Sequence, residues 1–203
     1  MKKQLLLLLL IPVAAAIAVP SGLLLHVDTY KVDTAASKVE WFAEKVTGKH
    51  NGTVQLTSGD ISNDHGRLGG KFVMDMKTIT VVDLTGENKT KLENHLRSED
   101  FFSVEKFPTS TFEIATVTPK TGVADGEANF NVTGKLTIKG ITNDVSFPAM
   151  IKFEGNKMMA KADITIDRSK YDIRYGSKSF FADIGDKAIM DDFKLKLDIV
   201  ANK

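Results

Sequence analysis

The chain has 203 residues, no cysteine, and 27 basic against 26 acidic side chains, for a formal net charge of +1. Well-mixed charges without a basic stripe argue against nucleic-acid binding, and the absence of cysteine excludes disulfides, so the fold depends on its hydrophobic core. About 180 residues remain after a short N-terminal segment, enough for one domain that buries roughly 70% of its unfolded surface.

The N-terminal residues have the pattern of an export signal. Two lysines precede an apolar stretch at 5–17, and Ala16-Ile17-Ala18 fits the small-residue site that signal peptidase cleaves. The alternative is an uncleaved segment that anchors the chain to the inner membrane. Prolines and a glycine interrupt the apolar run, which disfavours a spanning helix of about 20 residues.

These features predict a periplasmic or secreted protein with no integral membrane span after processing. The predicted divisions are a signal peptide over 1–18, a flexible linker over 19–29 and a β-barrel domain over 30–203.

From Lys38 onward apolar and polar residues alternate, the pattern of antiparallel strands with one dry and one solvated face. The clearest run is 130–138, in which the apolar residues and Gly134 share one face. The other runs are 145–153, 158–166 and 193–199, with less regular ones at 72–76 and 112–114.

Glycine and asparagine separate these runs and predict turns. The predicted turns are 48–52, Gly66, 121–122, 140–144 and 155–156. We count about eight strands of roughly 8 to 10 residues, which suits a barrel or a sandwich. Asp191-Asp192 is interpreted as a solvated strand entry.

The segment Glu87–Ser98 does not alternate and predicts one amphipathic helix. Leu92 and Leu96 are four residues apart and would pack the helix across the barrel or its end. Glu93 precedes Arg97 by four residues, the favourable order for an ion pair on a helix. We see no repeat and no linker between domains, so we predict a single domain.

Few residues suggest a catalytic or metal-binding site. The histidines are His26, His50, His65 and His95, and no two have the spacing of metal ligands. The chain also lacks a nucleophile elbow and a phosphate-binding loop. We therefore expect no catalytic set, no metal site and no cofactor. The one acid–base candidate is His95 with Asp100, which would act in a lipid hydrolase or isomerase.

The dry face is rich in phenylalanine and methionine, and methionine adapts to flexible apolar partners. An eight-stranded barrel can be filled by its own side chains or can hold one small ligand, and both interpretations stay open at this point. The candidates for the wall of a lipid tunnel are Phe72, Met74, Met76, Phe112, Phe130, Val132, Leu136, Phe147, Ile151, Ile164, Leu195 and Leu197.

Three long motifs occur in order along the chain. Residues 94–112 contain His95-Leu96-Arg97-Ser98 and a later Phe-Pro, and they resemble the H-L-(R/K)-S-x-D-F-F signature of the YceI-like family. Residues 132–142 resemble its V-x-G-x-L-T-I hairpin, and 167–171 are similar to its late (D/N)-R-S-x-(Y/F) turn. The resemblance extends from about Tyr30 to Val200.

The resemblance implies an extended antiparallel lipocalin-like barrel with one helix, all-β in class, that holds an isoprenoid or similar lipid. It implies no established catalytic residues. The chain departs from the family pattern at Glu93-Asn94, where the family often has Arg-Asp, and at 42–45, where it often has V-x-H.

The leading hypothesis is an exported lipid-binding protein that carries or sequesters a long-chain apolar lipid. Arg97, Arg168 or Lys45 would meet an anionic headgroup, or would form surface ion pairs. The alternatives are a structural or partner-binding β-domain with a packed core, and a lipid-modifying enzyme that uses His95 and Asp100. A homodimer is the further assembly that we consider.

Overall fold

Nine antiparallel strands and one α-helix make up residues 27–203, which the computed structural model describes. The predicted signal peptide, residues 19–26 of the predicted linker and His26 lie outside these described residues. The strands are β1 (Asp28–Val32), β2 (Lys38–Lys45), β3 (Gly48–Asp64), β4 (Arg67–Val81), β5 (Thr109–Pro119), β6 (Phe130–Ile138), β7 (Ile141–Glu154), β8 (Lys157–Asp167) and β9 (Ile189–Asn202). The helix α1 is Gly86–Arg97.

The sheet closes on itself because β3 pairs with β4 as well as with β2, and the full order is β1-β3-β2-β9-β8-β7-β6-β5-β4. Strand β1 pairs with the far half of β3 and with the end of β9, whereas β2 pairs with the near half of β3 and the rest of β9. The short strands β1 and β2 therefore together occupy a single strand position between β3 and β9. The result is a closed eight-stranded antiparallel barrel, as predicted.

The alternation of the sequence matches the burial of the strands. In β6, Val132, Gly134, Leu136 and Ile138 are buried, and the residues between them are exposed or half-buried. Strands β7, β8 and β9 follow the same period, which confirms the four clearest runs. The lengths differ from the prediction, since the strands range from 5 residues in β1 to 17 in β3. Strand β1 begins two residues before the predicted start of the domain.

The turn predicted over 48–52 is wrong. The chain turns at 46–47, and 48–52 form the first part of β3. Glycine is needed within this strand because a Cβ on Gly52 would lie 1.7 Å from the Thr80 carbonyl oxygen and 2.6 Å from the Trp41 ring. The turn predicted over 140–144 is only Lys139-Gly140, and Ile141 already begins β7.

Helix α1 is confirmed and packs beside β4. Leu96 is buried and Leu92 is half-buried against the core, as expected. The predicted ion pair between Glu93 and Arg97 is wrong, because both side chains bind the backbone of β4 instead. Glu93 accepts a hydrogen bond from the Val81 amide, at 2.9 Å, and Arg97 donates to the Ile79 carbonyl, at 2.6 Å.

The two ends of the barrel have different connections. We call the end that carries α1 the helix end; it also holds the 46–47 and 139–140 turns, the 98–108 connection and the 168–188 segment between β8 and β9. The opposite end holds the 65–66 and 155–156 turns and the 120–129 connection. Short 3₁₀ turns at Arg168–Tyr171 and Gly185–Lys187 shape the long segment at the helix end.

Candidate functional site

The barrel encloses an internal cavity of about 190 Å³. Its wall comes from the inward residues of strands β2 to β9, together with Leu96 of α1 and the Phe101-Phe102 pair that follows the helix. Nearly all of these side chains are apolar, because the inward face of each strand is the dry face of the alternation. The cavity is the strongest candidate for a functional site in the described part of the chain.

Eleven of the twelve predicted wall residues line this cavity: Phe72, Met74, Met76, Phe112, Val132, Leu136, Phe147, Ile151, Ile164, Leu195 and Leu197. Phe130 does not. It packs half-buried against the core at the first position of β6, next to the opposite end of the barrel. The first inward residue of β6 therefore lies outside the cavity lining, and a role for Phe130 in lipid binding stays a prediction.

Sequence reasoning missed other wall residues, among them Val39, Trp41 and Ala43 of β2. These three alternate, and this signal could have identified them. Strand β2 was not identified because polar or exposed residues separate these three residues. Its pairing with β3 was missed because a turn was wrongly predicted at 48–52, where β3 begins.

Three phenylalanines form a row on one side of the cavity. The ring centroids are 6.3 Å apart for Phe72 and Phe112, and 5.5 Å apart for Phe112 and Phe147. Gly134 makes room for this row, since a Cβ there would lie 2.5 Å from the Phe112 ring. The glycine lets the middle ring lie flat against the backbone of β6.

Among the described residues that line the cavity, only three have polar side chains: Ser110, Lys161 and Arg168. Lys161 is mostly exposed and pairs with Asp198. Ser110 is 4% exposed, and its hydroxyl has no hydrogen-bond partner among the described residues. A buried hydroxyl without a partner is costly, so Ser110 is the one place in the wall with an unused capacity for a hydrogen bond.

Arg168 is not the surface residue that we considered. It is 2% exposed, and its guanidinium lies 5.6 Å from the centre of the Phe101 ring. Burial lowers the pKa of Arg168, against the opposing effect of the Asp191 and Asp167 charges. Its N–H groups donate to four backbone carbonyls, those of Ile173, Tyr175, Ile189 and Met190. Four of the five N–H groups thus bind the backbone, and Nη2 also lies 3.2 Å from Asp191, so Arg168 is committed to the fold and is not placed to bind a headgroup.

Asp191 is not the solvated strand entry that we predicted. Its carboxylate lies 3.2 Å from Arg168 and accepts hydrogen bonds from Ser177 and Ser179. Burial would raise the pKa of Asp191, but these hydrogen bonds and the Arg168 charge outweigh burial and hold the pKa below its ordinary value. Burial also raises the pKa of the neighbouring Tyr171 to about 12, with a contribution from the Asp167 charge. The charged groups here organise the fold.

Among the described residues, no hydrogen bond or ion pair joins the His95 ring to Asp100. The His95 ring lies edge-on to Phe101 and Tyr175, with centroid distances of 5.7 and 4.3 Å. Its Nε2 atom is buried and has no partner among the described residues. Asp100 is exposed at the surface.

The remaining candidate side chains are occupied or solvated. His50 lies in β3, not in a turn, and its Nδ1 atom is 2.8 Å from Asp83. His65 bonds to Asp64 in an exposed turn, and Lys45 is exposed at the end of β2. Residues 27–203 contain no cluster of side chains that could hold a metal ion. Within the same range, no helix has the length and apolarity needed to cross a membrane.

Curated proteins with similar sequences include a UPF0312 protein of Vibrio campbellii, 31% identical over 152 residues, which are 70% of this chain and 72% of that protein. UPF0312 protein SAB2563 of Staphylococcus aureus is 30% identical over 158 residues, 72% of this chain and 82% of that protein. A UPF0312 protein of Azotobacter vinelandii is 34% identical over 106 residues, and the match spans only 50% of that relative's length.

Two solved structures share the fold. Burkholderia cenocepacia BcnA aligns with a TM-score of 0.66 at 22% identity, over 84% of this chain and 99% of that one. A polyisoprenoid-binding domain from Saccharophagus degradans, implicated in plant cell wall breakdown, aligns with a TM-score of 0.62 at 15% identity, over 85% and 97%. The YceI-like domain profile matches residues 30–201, nearly the whole barrel, and the chain therefore belongs to the YceI-like family.

Proposed function

We propose that the protein binds one long apolar lipid, a polyisoprenoid or a similar chain, inside its barrel and carries or sequesters it after export. The observation that carries this proposal is the cavity of about 190 Å³ with its almost wholly apolar wall. An apolar cavity of roughly 150 Å³ admits benzene, so this cavity has room for a short stretch of hydrocarbon chain, and a long chain would extend beyond it. The polyisoprenoid-binding domain from Saccharophagus degradans, which has the same fold, supports the same class of ligand.

The wall favours a ligand that is uncharged where it is buried. Burying a charge without a partner is expensive, and the wall offers no free partner for one. Arg168 uses its donors on backbone carbonyls and Asp191, while Lys161 points to solvent beside Asp198. The proposed ligand is therefore a hydrocarbon chain whose charged group, if it has one, stays outside the wall.

The structure gives less support to the two alternatives. A structural domain with a packed core would leave no room for a chain, in contrast to the cavity seen here. A lipid-modifying enzyme would use a general acid or base within hydrogen-bond reach of its substrate, and the His95 ring instead lies between two aromatic rings. We therefore propose binding without catalysis.

Mass spectrometry of organic extracts from the purified protein tests the proposal directly, and we expect a polyisoprenoid or similar lipid. Phe147→Ala should remain folded with altered lipid retention, because it enlarges a space that is already hollow. It should cost less than the roughly 3 to 5 kcal/mol of a phenylalanine removed from a packed core. The control Ser146→Ala changes an exposed side chain and should keep the parent's lipid. No lipid in the parent, together with the full packed-core cost, would contradict the proposal.

Export is part of the proposal and rests on the N-terminal sequence. We propose that cleavage after Ala18 releases a mature chain that begins near Val19 in the periplasm or outside the cell. Intact-mass measurement of protein from the native envelope tests this step. A full-length species in the inner membrane would support the anchored alternative. The homodimer stays a prediction, to be tested by analytical ultracentrifugation.

A further inference from the structure

The two ends of the barrel differ in the side chains that they expose. Nine large apolar side chains are exposed among the described residues. Two of them lie away from the helix end: Phe42 on the outside of β2, and Val27 before β1 at the opposite end. The other seven lie at the helix end: Val46, Val82, Ile141, Tyr175, Phe180, Phe181 and Met190. The turns of the opposite end carry charged and polar residues instead. Clustered exposed apolar side chains mark surfaces that bind a partner or a membrane.

The most apolar part of this surface is held in place. Tyr175, Phe180 and Phe181 belong to the segment between β8 and β9 and are 39 to 49% exposed. Two hydrogen bonds hold the backbone of this segment to the barrel. The Tyr175 carbonyl accepts one from the Arg168 side chain, and the Gly176 carbonyl accepts one of 2.8 Å from the Ile189 amide of β9. The fold thus presents the aromatic rings to solvent from an anchored backbone.

The exposed surface is continuous with the cavity wall. Met190 is among the residues that line the cavity and is also 53% exposed, so the exposed surface adjoins the cavity wall at this residue. The same continuity holds through His95, whose ring touches the exposed Tyr175 on one side and the cavity residue Phe101 on the other. An apolar chain that enters or leaves the cavity here would meet apolar side chains along its path.

Basic residues flank the aromatic ones. Lys178 and Lys187 are exposed and make no ion pair within residues 27–203, and Arg174 lies over the Phe180 ring at 5.1 Å. Aromatic side chains beside lysine or arginine suit the boundary of a bilayer, where rings enter the apolar region and cations reach the phosphates. Asp183 and Asp186 partly balance these cations, so the rings should contribute more than the charge does.

We propose that the helix end of the barrel docks on a phospholipid bilayer with Tyr175, Phe180 and Phe181 inserted at its surface. The docked end is then the passage between membrane and cavity, a part of the inference that rests on the proposed lipid-binding function.

The absence of cysteine allows a direct test in the full chain, since any introduced cysteine is the only one. Ala182→Cys places a nitroxide label beside Phe181, and Ala124→Cys places the same label on an exposed residue at the opposite end. Electron paramagnetic resonance then measures access of each label to oxygen and to a water-soluble nickel complex, with vesicles of phosphatidylethanolamine and phosphatidylglycerol. We expect the label at 182 to enter the bilayer and the label at 124 to stay in water.

A third variant adds Phe180→Ser and Phe181→Ser to Ala182→Cys, and its label should return to water because the inserted rings are gone. Circular dichroism should show all three proteins folded, since the changed side chains are exposed. Every variant has the same sequence before residue 27, so attachment through that segment alone would leave both labels in water and would overturn the proposal.

Two further outcomes would overturn the docking proposal. One is a label at 182 that leaves water without vesicles as the protein concentration rises, which would make this end a contact between copies. The other is a label at 182 that stays in water although the purified protein contains lipid, in which case lipid binding stands and docking fails. Insertion of the label at 182 by a protein without lipid would support docking and count against the proposed function.

Discussion

The Nη2 atom of Arg168 lies 3.2 Å from the Oδ1 atom of Asp191, across the ladder that joins β8 to β9 at the helix end. Asp191 belongs to β9, and Arg168 directly follows β8. Because Arg168 also binds carbonyls in the segment between these strands, one buried side chain fixes the course of the backbone at this end.

Replacement of Arg168 by lysine should destabilise the barrel by about 3 kcal/mol or more. Lysine cannot bind four carbonyls and a carboxylate at once, and each buried acceptor left unpaired costs roughly 1 to 3 kcal/mol. The matched control is Arg174→Lys, an exposed arginine paired with Asp172, which should cost less than about 1 kcal/mol. Urea unfolding measures both changes, and equal effects would contradict the role of Arg168.

Acid should remove the contribution of Asp191 to stability. The pKa of Asp191 is lower in the folded protein than its ordinary value of 3.8, so the unfolded chain binds a proton more readily. The stabilisation is therefore complete above that ordinary value and is lost as the pH falls through the depressed pKa. The advantage in unfolding free energy of the parent over Asp191→Asn should shrink as the pH falls from about 5 to about 2. A difference that stays constant with pH would contradict this role of Asp191. Asp83 also has a lowered pKa, but it is present in both proteins and therefore cancels in the comparison.

Ser110→Ala and Ser177→Ala should have opposite consequences in the lipid-free protein. The Ser110 hydroxyl is buried without a partner, so its removal should be neutral or should stabilise the fold by up to about 1 kcal/mol. Ser177 is fully buried, accepts a hydrogen bond from the Ser179 amide and donates to Asp191. Its removal should cost about 1 to 3 kcal/mol. Thermal unfolding of the two variants distinguishes these effects, and an equal loss at both sites would show that Ser110 has a partner.

The Lys139-Gly140 turn should tolerate no β-branched residue at its second position. Gly140 has a φ of +72°, and a Cβ there would lie 2.9 Å from the Phe107 ring. We expect Gly140→Val to cost about 2 kcal/mol or more, since positive φ alone costs roughly 1 to 2 kcal/mol. Thr142→Val, on the adjoining strand, loses a 2.7 Å hydrogen bond to Thr137 at an exposed site and should cost less. Similar melting temperatures for the two variants would rule out this account of the turn.

Strong alternation made the second half of the barrel predictable from sequence. Along most of β6 to β9 the inward residues are apolar and most of the outward residues are polar, so the period of the sequence and the burial coincide. The first half was harder because β3 begins with Gly48, Asn51 and Gly52, which are typical of turns. Gly52 is there because Trp41 packs against the bare backbone, a tertiary reason that local sequence does not reveal.

The apolar character of the cavity wall was predictable from the sequence, but the full set of wall residues was not. Eleven of the predicted residues line the cavity because the apolar face of each strand in a closed barrel faces the interior. The burial of Arg168 and Asp191 was missed, since charged residues next to a loop are usually solvated. Their environment is created by the irregular segment between β8 and β9, whose path no periodic pattern describes.

The shared position of β1 and β2 also bears on how the chain could be reconnected. Lys203 pairs with Asp28, so the last residue of the barrel lies beside its first strand. The break between β1 and β2 contains the exposed residues Ala35 and Ala36. A circular permutant joined from 203 to 27 and opened at 35–36 would begin with β2 and end with β1, with every strand pairing kept. Close termini and an exposed opening are the conditions under which such permutations are tolerated.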